Sequence, residues 1–170
     1  RDLMTATPPK MKKAKRAPLI IGWRENISLP DLGLVDIKAK IDTGARTTAL
    51  HADHIRTYDR DGESWVESHP STHAGLPDSG LCHARLHDQR PIKNTSGVPQ
   101  SRFVIRTLLD VADRSFLIEV SLSDRADMAF PIIVGRTALR KHRLLVDPGR
   151  SWLTKPKSLA APARSANSKE

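Results

Sequence analysis

The residues best suited to chemistry in this chain are three in a row, Asp42, Thr43 and Gly44. They stand where an alternating apolar stretch, residues 34–41, gives way to a turn. A carboxylate there leaves a rigid strand and enters a bend in which Gly allows close backbone approach and the Thr hydroxyl can lock the turn. Such a position holds an acid still, as activation of a water molecule requires. An Asp in the same place can also do no more than cap the turn. A second segment follows much later, where Pro131, Ile132, Ile133 and Val134 run into Gly135, Arg136, Thr137, Ala138 and Leu139. Two such motifs in order are much less likely by chance than the tripeptide alone.

The elements that must position these residues are strands. Apolar residues come in short bursts of period two or in brief runs, which is strand rather than helix behaviour. Residues 18–23 and 27–29 read as strands, the second ended by Pro30 and Asp31. Over 34–41, Leu34, Asp36, Lys38 and Lys40 point one way and Val35, Ile37, Ala39 and Ile41 the other. Residues 103–111 and 115–122 form two strands joined by a tight turn at 112–114. A buried strand at 131–134 leads to a helical turn or two at 136–141, and 144–147 is a last strand. Residues 59–97 are rich in Gly, Pro, Ser, Asp and His, with Trp65 and Val66 as apolar anchors, and read as a long excursion with a mobile hairpin. Trp23 and Trp152 are placed to pack the two terminal strands together. The predicted class is mainly β with one short helix near the end.

The net charge is +9, which at first suggests a nucleic-acid binder. Residues 1–17 and 154–170, however, hold +8 of it and have almost no apolar pattern, so both read as disordered tails. The body, residues 18–153, carries 18 basic and 17 acidic groups, with no stripe dense enough to track a phosphate backbone. Nucleic acid is therefore not expected as a partner. The single cysteine, Cys82, excludes an internal disulfide framework, and no apolar run reaches the roughly 18 residues of a membrane helix. A soluble, cytoplasmic protein is expected. The chain starts at Arg1 rather than Met, which leaves a processed N-terminus open.

The order of these motifs resembles the retropepsin-like aspartic peptidases: an apolar strand into Asp-Thr-Gly-Ala, a flap hairpin, then apolar-apolar-Gly followed by Arg and a short helix. Asp42, Thr43, Gly44 and Ala45 match the first part, and Ile133, Val134, Gly135, Arg136 and Leu139 the last. Residues 40–52, 125–139 and the ending Leu145, Val146, Asp147, Pro148 resemble more closely a bacterial family called ATP-dependent zinc proteases, associated with RimK-type glutamate ligases. The resemblance spans about the whole body and implies a retropepsin-like closed barrel with one short C-terminal helix.

Aspartic-protease chemistry needs two carboxylates sharing a proton, one to activate water and one to protonate the scissile carbonyl. One chain offers a single Asp-Thr-Gly, so the resemblance implies a homodimer hydrolysing a peptide or protein substrate. Asp42 of each subunit would meet its twin, with Thr43 bracing the pair and Gly44 offering its carbonyl to an extended peptide. By position, residues 90–101, with Asn94, Thr95, Ser96 and Gly97 at the tip, form either the flap that closes over substrate or an ordinary surface turn. Viral relatives commonly place an acid after Asp-Thr-Gly-Ala, where it pairs with the later Arg; here the residue is Arg46, which cannot pair with Arg136. Two guanidinium groups suit a site for carboxylates and hence acidic, glutamate-rich peptides, unless each finds a local acid such as Asp53, Asp127 or Asp147.

The zinc label finds little support. His51, Asp53 and His54 form one cluster, and Cys82, His83 and His87 another, but neither has a zinc hydrolase's Glu-flanked helical His pair or repeated Cys spacing. No Gly-rich phosphate loop is present, so no cofactor is expected and ATP dependence would come from a partner. Two other classes remain as alternatives: a catalytically silent peptide-binding or adaptor module on the same fold, and a zinc-dependent hydrolase using the His clusters.

Overall fold

The computed structural model describes residues 15–70, 80–93, 97–125 and 127–154. Its strands are β1 (Leu19–Gly22), β2 (Arg24–Leu29), β3 (Leu34–Asp42), β4 (Thr48–Arg60), β5 (Glu63–Pro70), β6 (Cys82–Lys93), β7 (Pro99–Val111), β8 (Arg114–Ser123), β9 (Ile132–Gly135) and β10 (Leu144–Asp147), with one helix, α1 (Arg136–Lys141). Eight strands form one sheet in the order β2-β3-β9-β4-β5-β6-β7-β8, and the added pairings β2–β7 and β4–β8 make the sheet return on itself. The fold is thus mainly β with a ringed sheet and one short helix, and no described helix is long and apolar enough to cross a membrane.

Two parallel pairings decide where the site lies. β3 runs beside β9 with Asp42 opposite Gly135, and β4 runs beside β8 from Thr48 to His51. The two motifs, distant in sequence, become neighbours across one ladder. β1 and β10 form a separate parallel ribbon, with Ile20 opposite Leu145.

β3 shows why its residues form this element. Ile37, Ala39 and Ile41 are buried and Lys38 and Lys40 exposed, the period-two signature of a half-buried strand. At its start the expected faces are reversed: Leu34 is buried and Val35 exposed. The ladder with β2 shifts register between Ile27 and Leu29, Asp36 adopts φ 50°, and its N–H donates to the Ser28 Oγ at 3.0 Å. One slipped residue there flips every side chain before it to the other face.

Of the expected excursion over residues 59–97, the described residues are instead largely strand, and 71–79 and 94–96 lie outside the described residues. β5 pairs with β4 and β6, and the outer half of this ribbon is mostly exposed or only half-buried, so it has little hydrophobic alternation to read. Cross-strand pairs hold it: Arg56 Nε to Glu67 Oε1 at 2.6 Å, Arg85 Nη2 to Glu63 Oε1 at 2.8 Å, and Tyr58 Oη to His83 Nδ1 at 2.9 Å. Trp65 is half-buried on this ribbon with the Arg60 guanidinium 4.9 Å from its ring.

The expected tails lie mostly outside the described residues. Thr154, the first residue assigned to the C-terminal tail, is buried and bonded to Glu25 through both its N–H and its hydroxyl. Trp23 and Trp152 meet through Arg24, whose guanidinium lies 4.2 and 5.4 Å from their rings.

Candidate functional site

Asp42 ends β3, and the chain turns at once. Its Oδ1 accepts the N–H of Gly44 at 2.9 Å and that of Ala45 at 3.2 Å, while its carbonyl accepts Ala45 N–H at 3.3 Å. The carboxylate is therefore tied to its own turn by one oxygen, and its second oxygen has no hydrogen bond among the described residues. The side chain is half-buried, so a water or a substrate carbonyl can reach it. A Cβ on Gly44 would sit 3.2 Å from that Oδ1, tight enough to push the carboxylate.

The turn is bolted to the start of α1. Arg136 N–H donates to the Ala45 carbonyl at 2.7 Å, Thr137 N–H to the Arg46 carbonyl at 3.1 Å, and the Arg136 Nη1 to the Thr43 carbonyl at 3.0 Å. Behind it, Gly135 N–H donates to Thr48 Oγ1 at 3.1 Å. Backbone and side-chain bonds together give the acid a fixed seat, as pre-organised catalysis demands. Thr48 was not singled out from the sequence; a Thr just after the turn carries no signal until Gly135 is placed beside it.

Thr43 and Gly44 are exposed at the tip of the turn, and Ala45 is half-buried. Arg46 and Arg136 point into different hollows. Arg46 lines a cavity between the turn, α1 and β8, whereas Arg136 lines another with Thr43, Leu139 and Leu145. Neither takes one of the local acids considered above: Asp53 holds His54 and His69, Asp127 holds Arg125, and Asp147 Oδ1 accepts Gly149 N–H.

The expected flap is a hairpin, with Lys93 opposite Pro99 across β6 and β7. Gly97 lies in its loop at φ 76°, a conformation Gly adopts without strain, and is exposed. Asn94, Thr95 and Ser96 lie outside the described residues.

The two His clusters come apart. His51 is buried, its Nδ1 3.1 Å from the Ser123 carbonyl and 3.0 Å from the Arg125 nitrogen. His54 sits outside on Asp53 at 2.9 Å, and that hydrogen bond and charge raise the imidazole pKa above its ordinary 6.5. Cys82 is buried with its thiol on the Leu32 carbonyl at 3.1 Å, and burial raises its pKa. His83 is on Tyr58, and His87 on Glu119 at 3.1 Å. Among the described residues no group of three or more His, Cys, Asp and Glu side chains is arranged to hold a metal ion.

A protein of Desulfotalea psychrophila named "Probable alpha-L-glutamate ligase" is 43% identical over 134 residues, which cover 78% of this chain and 28% of that protein. One of the same name from Shewanella pealeana is 36% identical over 131 residues, 76% of this chain and 28% of the relative. The chain thus spans 28% of the length of these relatives. A crystal structure of a Legionella pneumophila protein with unknown function (DUF785) superposes with a TM-score of 0.68 at 25% identity, covering 82% of this chain and 100% of that one. The model of the RimB-like family, described as retropepsin-like aspartic endopeptidase RimB, matches residues 20–157. The chain belongs to the RimB-like family of retropepsin-like domains.

Proposed function

We propose that this chain is an aspartic-type endopeptidase that works as a homodimer and favours acidic, glutamate-rich peptides. The observation that carries this reading is the Asp42 carboxylate, held through Oδ1 by two backbone N–H groups with its other oxygen left for chemistry. A pair of such groups across a two-fold axis would share one proton. One Asp42 takes a proton from water as it attacks the scissile carbonyl, and the other protonates the carbonyl oxygen. Collapse of the resulting diol releases the amine, which leaves with a proton from the pair.

Two features support the dimer. Thr43 is exposed beside the acid, and the β1–β10 ribbon carries Ile20 and Leu145 side by side at 57% and 52% exposure, an apolar strip that a second copy would cover. The acidic preference is supported by Arg46, which is exposed and has no carboxylate partner among the described residues, and by relatives named glutamate ligases, which also make a glutamate ligase of the RimK type the proposed working partner. Those same names favour a second reading, a module that holds a peptide without cutting it.

Incubation of the chain with glutamate-rich and lysine-rich peptide libraries, with products read by mass spectrometry, tests the proposal. Cleavage of the acidic library that is lost in a folded Asp42→Asn variant is expected. Cleavage that persists in Asp42→Asn, or a preference for basic peptides, would sink it; binding by both proteins without cleavage selects the holding module.

A further inference from the structure

The fold gathers around α1 basic residues that the sequence scatters over three segments. Residues 136–143, which are α1 and the turn after it, contain Arg136, Arg140, Lys141 and Arg143 and no acid. Arg114, the first residue of β8, reaches this segment, its Nη1 donating to the His142 carbonyl at 3.5 Å while its Nη2 donates to the Ala17 carbonyl. Leu19 N–H donates to the Arg143 carbonyl at 3.1 Å, so the stretch carrying Lys15 and Arg16 is fastened to the same place. The His142 imidazole reports how near these charges are: burial lowers its pKa, and Lys141 and Arg16 lower it further. All of these cations but Arg114 are exposed, and none has a carboxylate within ion-pair distance among the described residues. Elsewhere the acids are matched, as in Arg56 with Glu67, Arg85 with Glu63 and Arg90 with Asp88 and Glu119. The near balance of charge over the body is thus an average that hides one uncompensated face.

Local roles absorb only part of this charge. Arg140 and Lys141 stand in the last turn of α1, where a cation suits the carbonyl end of a helix, but Lys15, Arg16 and Arg143 lie off it. Like charges brought together from separate segments repel one another, and a polyanion laid across them relieves that repulsion while shedding its own counterions. Two observations choose the polyanion. Five of these seven cations are Arg, whose planar fork grips phosphate oxygens two at a time. The face also lacks an exposed aromatic ring, since Phe116 is buried with the His142 ring stacked on it at 3.9 Å between centroids. It therefore offers neither the aromatic anchor that centres a protein interface nor a platform on which unpaired bases stack. A double helix, which presents phosphates and keeps its bases inside, asks for neither.

We infer that the face formed by α1, the turn after it and residues 15–16 docks double-helical nucleic acid through its phosphate backbone, without reading base sequence. Arg16, Arg140, Lys141 and Arg143 make the phosphate contacts. Arg114 is spent on two carbonyls and holds the segments together, and Arg136 adds its field while its Nη1 stays on the Thr43 carbonyl. The docking surface uses no atom of the Asp42 carboxylate, so it stands whether or not the chain cuts peptides.

Fluorescence anisotropy of labelled RNA and DNA duplexes of about 20 base pairs, titrated with the full chain at about 50 to 200 mM salt, tests the docking surface. Arg140→Gln, Lys141→Gln and Arg143→Gln together should weaken binding at least tenfold at the lower salt and flatten the slope of log K against log salt by about two to three. Lys38→Gln, Lys40→Gln and Arg60→Gln together remove the same charge from exposed positions on β3 and β4 and should change both far less. Thermal melts check that each variant folds. Should the first triple not fold, Arg140→Gln alone, at an exposed position, must flatten the slope by about one. The inference stands if either duplex behaves this way, and the tighter of the two shows whether an RNA or a DNA backbone is the better fit. Equal losses in the two triples would reduce the effect to net charge and overturn it, as would a parent chain that binds neither duplex at the lower salt. Polyglutamate bound through Arg140, Lys141 and Arg143 while neither duplex binds would give the face to an acidic protein and overturn it too.

Discussion

Gly135 donates its N–H to Thr48 Oγ1 at 3.1 Å, and its lack of a side chain is what allows the two motif segments to meet. A Cβ at Gly135 would lie 2.6 Å from the Thr47 carbonyl carbon and 2.8 Å from its oxygen. Backbone φ is an ordinary −89°, so the demand for glycine here is purely one of space.

Gly135→Ala must therefore shift β9 away from the turn that seats Asp42. A stability loss of roughly 1–3 kcal/mol is expected for such overpacking, read as a lower urea midpoint with an unchanged m-value. Thr48→Val keeps the shape but orphans the Gly135 N–H and should cost about 1–3 kcal/mol, whereas Thr48→Ser should cost much less. Midpoints of Gly135→Ala and Thr48→Val equal to the parent's would show that this contact does not hold the site.

How much of this was legible in the sequence depends on the periodicity each element carries. β3, α1 and β10 could be read because one face of each is apolar and the other is not, and the Asp42 and Gly135 motifs could be matched because their order is distinctive. β4, β5 and β6 were hidden, since much of their length is held by cross-strand pairs such as Arg56 with Glu67 and Tyr58 with His83 rather than by burial. Thr48 was hidden for another reason: its partner Gly135 lies on a distant segment, and only the pairing of β9 with β3 and β4 brings the two together.

Glu25 makes a second prediction. It is fully buried, and its carboxylate accepts Gly22 N–H at 2.7 Å, Leu153 N–H at 2.9 Å, Thr154 N–H at 3.1 Å and the Thr154 hydroxyl at 2.7 Å. Four donors take the place of a cation and fasten residues 153 and 154 to the β1–β2 junction. Glu25→Ala leaves them unsatisfied and should cost roughly 3 kcal/mol or more, with Thr154→Val losing only the hydroxyl share of about 1 kcal/mol. Hydrogen exchange at Leu153 and Thr154 should speed up in Glu25→Ala; unchanged protection there would refute the latch.

The β1–β10 ribbon makes a third. Replacing the paired Ile20 and Leu145 by Lys puts two charges on the strip proposed to meet a second copy, at positions where each side chain is already more than half exposed. The monomer fold should survive, so thermal melts at low concentration stay near the parent's while sedimentation velocity shifts to the monomer. Peptide cleavage should fall with the loss of dimer. Persistence of the dimer with Ile20→Lys and Leu145→Lys together would place the interface elsewhere.

His142 closes α1 and makes the fourth, because its ring stacks on Phe116 with centroids 3.9 Å apart and planes at 15°. Burial lowers its pKa below the ordinary 6.5, with Lys141 and Arg16 adding to the effect and a hydrogen bond to the Leu117 backbone opposing it. The folded chain therefore prefers the neutral imidazole, while the unfolded chain takes a proton near pH 6.5. Its contribution to stability is complete above that pH and declines as the pH falls through 6.5 towards the lower folded value. The parent should lose more stability between pH 7 and pH 5 than His142→Leu, which has no proton to bind there. Denaturant midpoints measured across that range decide the matter, and identical pH slopes in the two proteins would show that His142 stays uncoupled from folding.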